Sequence, residues 1–135
     1  MASDIRVLGP SGIEDYHAHL LRLDRASCFP GIDDHAIDTH CLDLMASSAI
    51  LVGAYVDGVM RAGIELVPDR TARRAEAAIT VETGFYNCGL ERELIARLML
   101  EARRYHLQDV RVHDHRESKI YRVEPAKVLA YAANG

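Results

Sequence analysis

The chain has 135 residues, of which 49% are apolar, and this size and composition predict one globular domain spanning residues 1–135. A formal charge of −4 and a pI of about 5.9 argue against a protein that binds nucleic acid through phosphate contacts. The three cysteines have no CxxC spacing, so a disulfide framework and a structural zinc site are not expected, whereas a reducing cytoplasm is. No apolar run is long enough for a signal peptide or a membrane span, so no membrane association is predicted.

The chain begins with the pattern of a strand and two helices. Residues 5–8 alternate between apolar and polar side chains, as a strand does. Ser11 and Glu14 match a capping box, in which each side chain bonds the backbone N–H of the other residue, and predict the start of a helix. Asp33 or Asp34 is expected to cap a second helix.

A hairpin is predicted next. Residues 49–56 are apolar almost throughout, as in a buried strand. Asp57 and Gly58 are a strong signal for a two-residue turn, so residues 59–67 are expected to return as an antiparallel partner.

The second half of the chain is organised around a strand, a turn and a long helix. Residues 76–81 predict the central strand, and residues 82–89 predict a turn that contains glycine. Apolar side chains three and four residues apart predict a helix over residues 90–105 with one buried face. Residues 108–112 predict a further strand, which is expected to lie parallel to the central one because a helix connects the two.

The end of the chain predicts a short helix and a tail. The helix is expected within residues 114–122, and Pro125 interrupts any continuation of it. Residues 126–135 are apolar and have little of their own chain left to pack against. We expect this tail to dock on a second subunit, so that the protein forms a two-fold homodimer.

The corner between the central strand and the long helix is suited to bind an anion. A strand that enters a helix through such a turn directs several backbone N–H groups to one point, and the helix dipole adds partial positive charge. A phosphate or a pyrophosphate would suit this corner, but a single glycine turn is a weak signal, and by itself it favours a plain connection that binds nothing.

The order of these elements resembles the GNAT superfamily of acyl-CoA-dependent N-acetyltransferases. The resemblance covers residues 4–122 and is strongest over residues 50–58 and over the strand and corner that follow. It implies a single-domain α/β fold, in which helices flank both faces of a mixed, mainly antiparallel sheet. The implied function is transfer of an acetyl group from acetyl-CoA, the co-substrate, to the amine of a small molecule or a peptide.

Members of this family hold the pantetheine arm of CoA on the central strand, which splays from its neighbour, and the pyrophosphate at the turn that follows. The residues matched to the strand are Ile79, Thr80 and Val81. Those matched to the turn and the helix N-terminus are Tyr86, Asn87, Cys88, Gly89, Leu90, Glu91 and Arg92. Asp114 stands where relatives often carry an Asn, and it is counted with the residues that bind the co-substrate.

The turn departs from the family motif of Gln or Arg, two residues, Gly, one residue, and Gly or Ala. Only Gly89 matches, because Tyr86 replaces the basic or amide residue and Glu91 replaces the small one. A carboxylate beside a pyrophosphate is repulsive, and its side chain blocks the close backbone approach that glycine permits. The pyrophosphate motif is therefore degenerate, and Glu91 is able to occupy the anion site itself.

The resemblance also implies catalytic residues. Tyr121 lies seven residues beyond Asp114, where family members have a Tyr that protonates the leaving thiolate. A general base, where the family has one, is often a Glu on the central strand. Glu76 and Glu82 are the candidates, with Glu65 on the hairpin strand behind them.

Two other functions stay open. A non-catalytic relative would have the same fold, a CoA corner filled by Glu91 and Tyr86, and a role in binding or dimerisation. A metal-binding domain would use His113 and His115, although no HExxH or CxxC pattern supports it and no metal is predicted.

Two minor hypotheses concern single features. Cys88 stands at a helix N-terminus, where a thiolate is favoured, and would need His106 or His113 nearby to act as a nucleophile. The basic cluster within residues 70–74 is a candidate contact for the outer phosphate of CoA.

Overall fold

The computed structural model describes residues 3–25, 32–69, 71–114 and 116–123. Within these ranges, six strands form one mixed sheet and three α-helices pack on it. The strands are β1 (Ser3–Val7), β2 (Ile50–Val56), β3 (Val59–Asp69), β4 (Arg74–Val81), β5 (Asp109–His113) and β6 (Ser118–Arg122). The helices are α1 (Ile13–Leu21), α2 (Asp34–Ala46) and α3 (Leu90–Arg104).

The strands follow one another across the sheet in chain order, from β1 to β6. Every neighbouring pair is antiparallel except β4 and β5, which are parallel and joined through α3. A parallel pair requires such a crossover, whereas the antiparallel pairs β2–β3 and β5–β6 need only short turns. The mixed, mainly antiparallel sheet predicted from the sequence is confirmed.

Alternating side chains give the sheet two apolar faces. α3 covers one face, where Leu90, Leu94 and Leu98 pack with Ile64 and Ile79 of the sheet. α1 and α2 cover the other face, and their apolar side chains form a second cluster with β2 and β3: Tyr16, Leu20, Ile37, Cys41, Leu51, Tyr55 and Met60. Each large side chain buried in this way contributes roughly 1.5–3 kcal/mol, so both layers are held by apolar burial.

Two local predictions from the first half of the chain are confirmed. Asp57 and Gly58 have φ angles of 52° and 81°, and they form the two-residue turn between β2 and β3. Asp33 caps α2, because its side chain accepts a hydrogen bond of 2.8 Å from the backbone N–H of Ala36.

The predicted capping box at the start of α1 is wrong. The N-cap of α1 is Gly12, and no side chain bonds the cap. Pro10 fixes a helical φ one residue before Ser11, so the chain already turns in a 3-10 helix from Pro10 to Gly12. Ser11 therefore lies inside that turn and not at the cap position.

The predicted helix within residues 114–122 is also wrong, because Ser118–Arg122 forms β6 and pairs antiparallel with β5. The side chain of Asp114 accepts hydrogen bonds from the backbone N–H groups of Arg116 and Glu117, at 2.7 and 2.8 Å. These bonds close a turn at Asp114 instead of starting a helix.

Two predictions about the whole chain stay predictions. The tail at residues 126–135 lies outside the described residues, and with it the predicted contact to a second subunit. The assignment of residues 1–135 to a single domain also extends beyond the described ranges. No helix within those ranges combines the length and the apolar character that crossing a membrane requires.

Candidate active site

β4 separates from β5 part-way along its length. β5 pairs with β4 as far as Ala78 and His113, whereas β3 pairs with β4 as far as Val81. The N–H of Glu82 donates to the carbonyl oxygen of Arg61 at 2.9 Å, and hydrogen-bonded pairs alternate along an antiparallel ladder. The N–H and C=O of Val81 therefore face the side that β5 has left.

A cavity of about 500 Å³ lies at this separation, on the face of the sheet that α1 and α2 cover. Most of its described wall is apolar and consists of Leu20, Ile32, Ala36, Ile37, Ala78 and Ile79. The polar residues of the wall are His40, Glu65, Thr80, His113 and Asp114. This volume is within the usual range for a site that binds a small molecule.

A buried carboxylate, Glu65, stands on β3 at the cavity. Tyr16 on α1 donates its phenolic hydrogen to Glu65 Oε2. Nε2 of His40 on α2 lies 2.9 Å from both oxygens of Glu65. Gly63 makes room for the Tyr16 ring, because a Cβ at that position would lie 2.7 Å from Tyr16 Cε1. Three polar side chains, one each from α1, α2 and β3, thus meet in one hydrogen-bonded cluster.

Glu65 affects the pKa of both side chains that bond it. The hydrogen bond with Glu65 raises the pKa of His40 from its ordinary value of 6.5. Burial, followed by the charge of Glu65, raises the pKa of Tyr16 well above 10.0, so Tyr16 remains a hydrogen-bond donor. Because His40 Nε2–H donates to the carboxylate, Nδ1 carries the lone pair when the ring is neutral.

A second histidine, His113, stands where β4 and β5 separate and lines the cavity. Its Nε2 bonds Glu76 Oε2, and its Nδ1 lies 2.6 Å from Ser118 Oγ. Glu76 is the first of the two bases predicted on the central strand, and 61% of its side chain is exposed. Glu76 therefore reaches the cavity only through His113.

Glu82, the other predicted base, directly follows β4 and is buried. Its carboxylate bonds His19 Nδ1 at 2.9 Å, and it accepts hydrogen bonds of 3.0 Å from both Arg22 and Arg61. Burial raises the pKa of Glu82, but the hydrogen bonds from His19, Arg22 and Arg61 outweigh it and lower the pKa from 4.5 to about 2. His19 also reaches Thr80 Oγ1 at 2.8 Å. Glu82 thus ties the end of β4 to α1 and stays ionised.

The corner between β4 and α3 presents backbone N–H groups that have no acceptor among the described residues. Gly89, at the N-cap of α3, has a φ of 91°, and a Cβ added there would meet nothing within 4 Å. The hydrogen bond of 3.1 Å from Glu93 N–H to the Gly89 carbonyl is the first of the helix, so the N–H groups of Leu90, Glu91 and Arg92 precede the ladder. The helix dipole and these groups favour an anion at this point.

The side chains of the corner differ in their burial and in their hydrogen-bond partners. Tyr86 is half-buried and packs against the core cluster under α3. Asn87 has a φ of 59° and continues the turn. Glu93 accepts a hydrogen bond of 2.7 Å from Ser3 on β1 and is directed there, whereas the neighbouring Glu91 is half-exposed in the first turn.

The nucleophilic cysteine and the metal-binding domain were the remaining hypotheses for the corner and β5. Cys88 donates through Sγ to the carbonyl of Phe85 at 2.7 Å, and among the described residues it has no bond with a histidine. Those residues also contain no group of three His, Cys, Asp or Glu side chains placed to hold a metal ion. His115, the second residue of the metal hypothesis, lies outside the described ranges.

Comparisons with known proteins give a fold. No family model matches the sequence, and no curated protein does. Among solved structures, a GNAT family acetyltransferase from Brucella melitensis in complex with acetyl-CoA matches with a TM-score of 0.69 and 12% identity, covering 92% of this chain and 90% of that one. The PaiA N-acetyltransferase from Thermoplasma acidophilum in complex with coenzyme A matches with a TM-score of 0.66 and 16% identity, over 100% of this chain and 89% of that one. A ribosomal-protein-alanine N-acetyltransferase from Brucella melitensis biovar Abortus has a TM-score of 0.64 and 19% identity, over 83% of this chain and 80% of that one.

This chain has the GNAT fold. The resemblance seen in the sequence is thereby confirmed at the level of the fold, and these structural neighbours are acetyltransferases.

Within the GNAT fold, the residue at the predicted acid position is not brought to the cavity. Tyr121 is on β6 opposite Val110, three residues or about 10 Å along the strand from the level of His113. It packs against the cluster under α3, on the other face of the sheet from the cavity. Asp114 does line the cavity, but Oδ1 of its side chain bonds the turn that follows.

The described residues of the basic cluster lie far from the corner between β4 and α3. Arg73 and Arg74 are at the start of β4, at the opposite end from Val81. Arg73 donates to the carbonyl of His106 at 3.2 Å, and Arg74 pairs with Asp109 at 3.7 Å. Seven residues of strand, roughly 23 Å, separate this end from the open edge.

The cluster of Tyr16, Glu65 and His40 was not evident from the sequence. Glu65 stood behind Glu76 and Glu82 as a candidate base, and neither His40 nor Tyr16 was assigned a role. One signal was available, because Glu65 interrupts an otherwise apolar strand from Ala62 to Val67. A charge at such a position is usually exposed or paired, and here it is paired.

Proposed function

We propose that this protein transfers an acetyl group from acetyl-CoA to an amine. The observation that carries the proposal is the meeting of three features where β4 leaves β5. These are the open backbone edge at Val81, the unpaired N–H groups at the start of α3, and a cavity that contains the Glu65–His40 pair. The GNAT fold supports the proposal, since the matching structures include complexes with coenzyme A and acetyl-CoA.

The residues present fit most of acetyl-CoA. The N–H and C=O of Val81 are free to pair with the amide groups of a pantetheine arm. The N–H groups of Leu90, Glu91 and Arg92 are free to bind a pyrophosphate, and Gly89 leaves the approach open. The carboxylate of Glu91 would repel the pyrophosphate, and it is the feature of the corner that suits acetyl-CoA least.

On the acceptor side, we assign His40 as the general base. Glu65 accepts from Nε2–H, which leaves the Nδ1 lone pair to remove a proton from the ammonium group of the acceptor. The free amine attacks the carbonyl carbon of the thioester to give a tetrahedral intermediate. When the intermediate collapses, the carbon–sulfur bond breaks, the thiolate leaves, and the former amine nitrogen loses its second proton to solvent. Tyr16 keeps Glu65 in place through its own hydrogen bond.

On the other side of the cavity, we assign His113 as the proton donor to the departing thiolate. It stands at the separation of β4 and β5, where Glu76 bonds its Nε2, and the assignment requires the thiolate to replace Ser118 Oγ as the partner of its Nδ1. The proposal therefore uses Glu76 as the partner of His113, and it gives no proton-transfer role to Tyr121 or Glu82. The homodimer and the cytoplasmic location predicted from the sequence are kept as parts of the proposal.

The proposed base is tested by the release of CoA from acetyl-CoA in the presence of a primary amine such as 2-phenylethylamine. Replacing His40 with Gln is expected to lower kcat by about 100-fold, because one positioned base contributes at least that much. The rate of the unaltered protein should rise with pH through a pKa above 6.5, since only neutral His40 accepts a proton, and this inflection should be lost in the variant.

The matched control is His17→Gln. His17 also pairs with a carboxylate, Asp38, but it is on the surface and outside the cavity, so its loss should leave kcat unchanged. Equal rates in the His40 and His17 variants would overturn the assignment of the base. No acetyl transfer by the unaltered protein to any amine tested would overturn the proposed function.

A further inference from the structure

The cavity at the separation of β4 and β5 has one buried acid in an apolar wall. Glu65 is 9% exposed, and the same wall contains the buried side chains of Leu20 and Ile37. A polar group of a ligand that left water for this wall would lose hydrogen bonds without replacement. The wall therefore favours a ligand whose body is apolar.

The charge of the cavity is negative and local. With His40 neutral, the cluster of Tyr16, Glu65 and His40 carries one negative charge. Asp114 is the other acid of the described wall, and its Oδ1 is occupied by two backbone N–H groups of the turn. One ammonium group, placed beside Glu65, balances this charge.

The described wall contains no Lys or Arg. His113 also lines the wall, and its charge when it is protonated is balanced by Glu76. A carboxylate or a phosphate on the acceptor would therefore meet two acids and no unbalanced cation, which is repulsive. An additional ammonium group would enter the apolar part of the wall unpaired.

From these three features, and resting on the proposed acetyl transfer, we infer that the acceptor is a small monoamine with an apolar body. An arylalkylamine or a branched alkylamine fits this description. An amino acid, a polyamine and an aminoglycoside do not.

The test compares four compounds that differ in one property at a time. 2-Phenylethylamine has one ammonium group and an apolar body, phenylalanine adds a carboxylate, 2-phenylethanol lacks the charge, and spermidine replaces the apolar body with further ammonium groups. Binding of each to the full chain is measured by calorimetry without acetyl-CoA, and turnover is measured separately. 2-Phenylethylamine should bind about 10-fold more tightly than each of the other three, as expected for one charged hydrogen bond.

Two substitutions test where this preference arises. Glu65→Gln should bring 2-phenylethylamine close to the affinity of 2-phenylethanol, since the charge is removed while the shape is kept. Ala36→Glu adds an acid to the apolar wall at a position in the first turn of α2 that tolerates acids, so spermidine should gain affinity about 10-fold. Thr39→Glu adds the same charge on the same helix outside the described cavity wall and should leave spermidine binding unchanged.

The outcomes separate this inference from the proposed function. Preferential binding of 2-phenylethylamine without any acetyl transfer would support the acceptor class and overturn the transferase. Acetyl transfer with a preference for phenylalanine or spermidine would support the transferase and overturn the acceptor class. Equal binding of all four compounds, or an equal effect of Ala36→Glu and Thr39→Glu, would also overturn the acceptor class.

Discussion

The role assigned to Glu82 changes once its partners in the fold are known. From the sequence it is a carboxylate at the end of the central strand and a candidate base. Its partner His19 is 63 residues away in the chain, and Arg22 is 60 away, so periodicity along β4 cannot reveal either contact. The alternation of a strand predicts which face a side chain occupies, and it does not predict which helix covers that face.

The same limit applies to Glu65, which is 49 residues from Tyr16 and 25 from His40. The sequence identified all the carboxylates of the site, but it ranked them by their place in a motif. Burial and hydrogen bonding, which decide their chemistry, come from the packing of α1 and α2 on the sheet.

Acid unfolding tests the assignment of Glu82 as a structural anion. With a pKa lowered from 4.5 to about 2, ionised Glu82 contributes about 3 kcal/mol to the free energy of unfolding at neutral pH. Because the pKa is lower in the folded state, this stability is complete above 4.5 and is lost as the pH falls through about 2. Glu82→Gln should therefore lower the free energy of unfolding by about 3–5 kcal/mol at pH 7, and by much less near pH 2.

Urea unfolding at the two pH values provides the measurement. Glu117→Gln is the control, because Glu117 pairs with Lys119 on the surface and such pairs contribute at most about 1 kcal/mol. A Glu82 variant as stable as the Glu117 variant at pH 7 would refute the structural role.

At the scale of elements, the sequence predicted well wherever one local rule acts alone. The turn of Asp57 and Gly58 and the apolar stripe of α3 are such cases. The prediction failed at Asp114, because an Asp hydrogen-bonds nearby backbone N–H groups both at the start of a helix and in a turn. Here the turn is favoured because the strand that follows it pairs with the edge of β5. A helix would leave the backbone N–H and C=O groups of that edge without partners.

The turn at Asp114 is tested by removing its side-chain oxygens. Asp114→Ala should lower the free energy of unfolding by about 1 kcal/mol and speed hydrogen exchange at the N–H groups of Arg116 and Glu117. Asp114→Asn keeps an oxygen acceptor in the same place and should behave like the unaltered protein. Thermal unfolding and amide exchange measure both effects, and equal losses in the two variants would show that the negative charge matters instead of the turn.

At the scale of the whole molecule, the order of elements predicted the GNAT fold, and the comparison with solved structures confirmed that fold. The order of strands alone does not create a site. The site depends on β5 leaving β4 at Ala78, on the open N-terminus of α3, and on a cavity with an acid in it. The first two belong to the fold and were predictable from it, whereas the cavity depends on long-range packing.

The central claim is that this molecule binds acetyl-CoA at the corner of β4 and α3. Two glycines of the corner provide a matched pair of variants. Gly84 and Gly89 have φ angles of 94° and 91°, and an added Cβ would meet nothing within 4 Å at either. Both alanine substitutions should cost about 1 kcal/mol of stability, because both positions are left-handed.

Only Gly89→Ala adds a methyl group at the N-terminus of α3, where the pyrophosphate is expected. Glu91 provides the opposite test. Glu91→Gln removes a like charge worth about 1 kcal/mol at a partly exposed site, so it should tighten binding several-fold, and Glu91→Gly should do so while melting at a lower temperature.

The decisive measurement is therefore a calorimetric titration of the full chain and these four variants with acetyl-CoA. We predict saturable binding to the unaltered protein, similar binding to Gly84→Ala, weaker binding to Gly89→Ala, and tighter binding to both Glu91 variants. An absence of binding heat in the unaltered protein and in both Glu91 variants would contradict the claim, and would favour a GNAT-fold protein that does not use CoA.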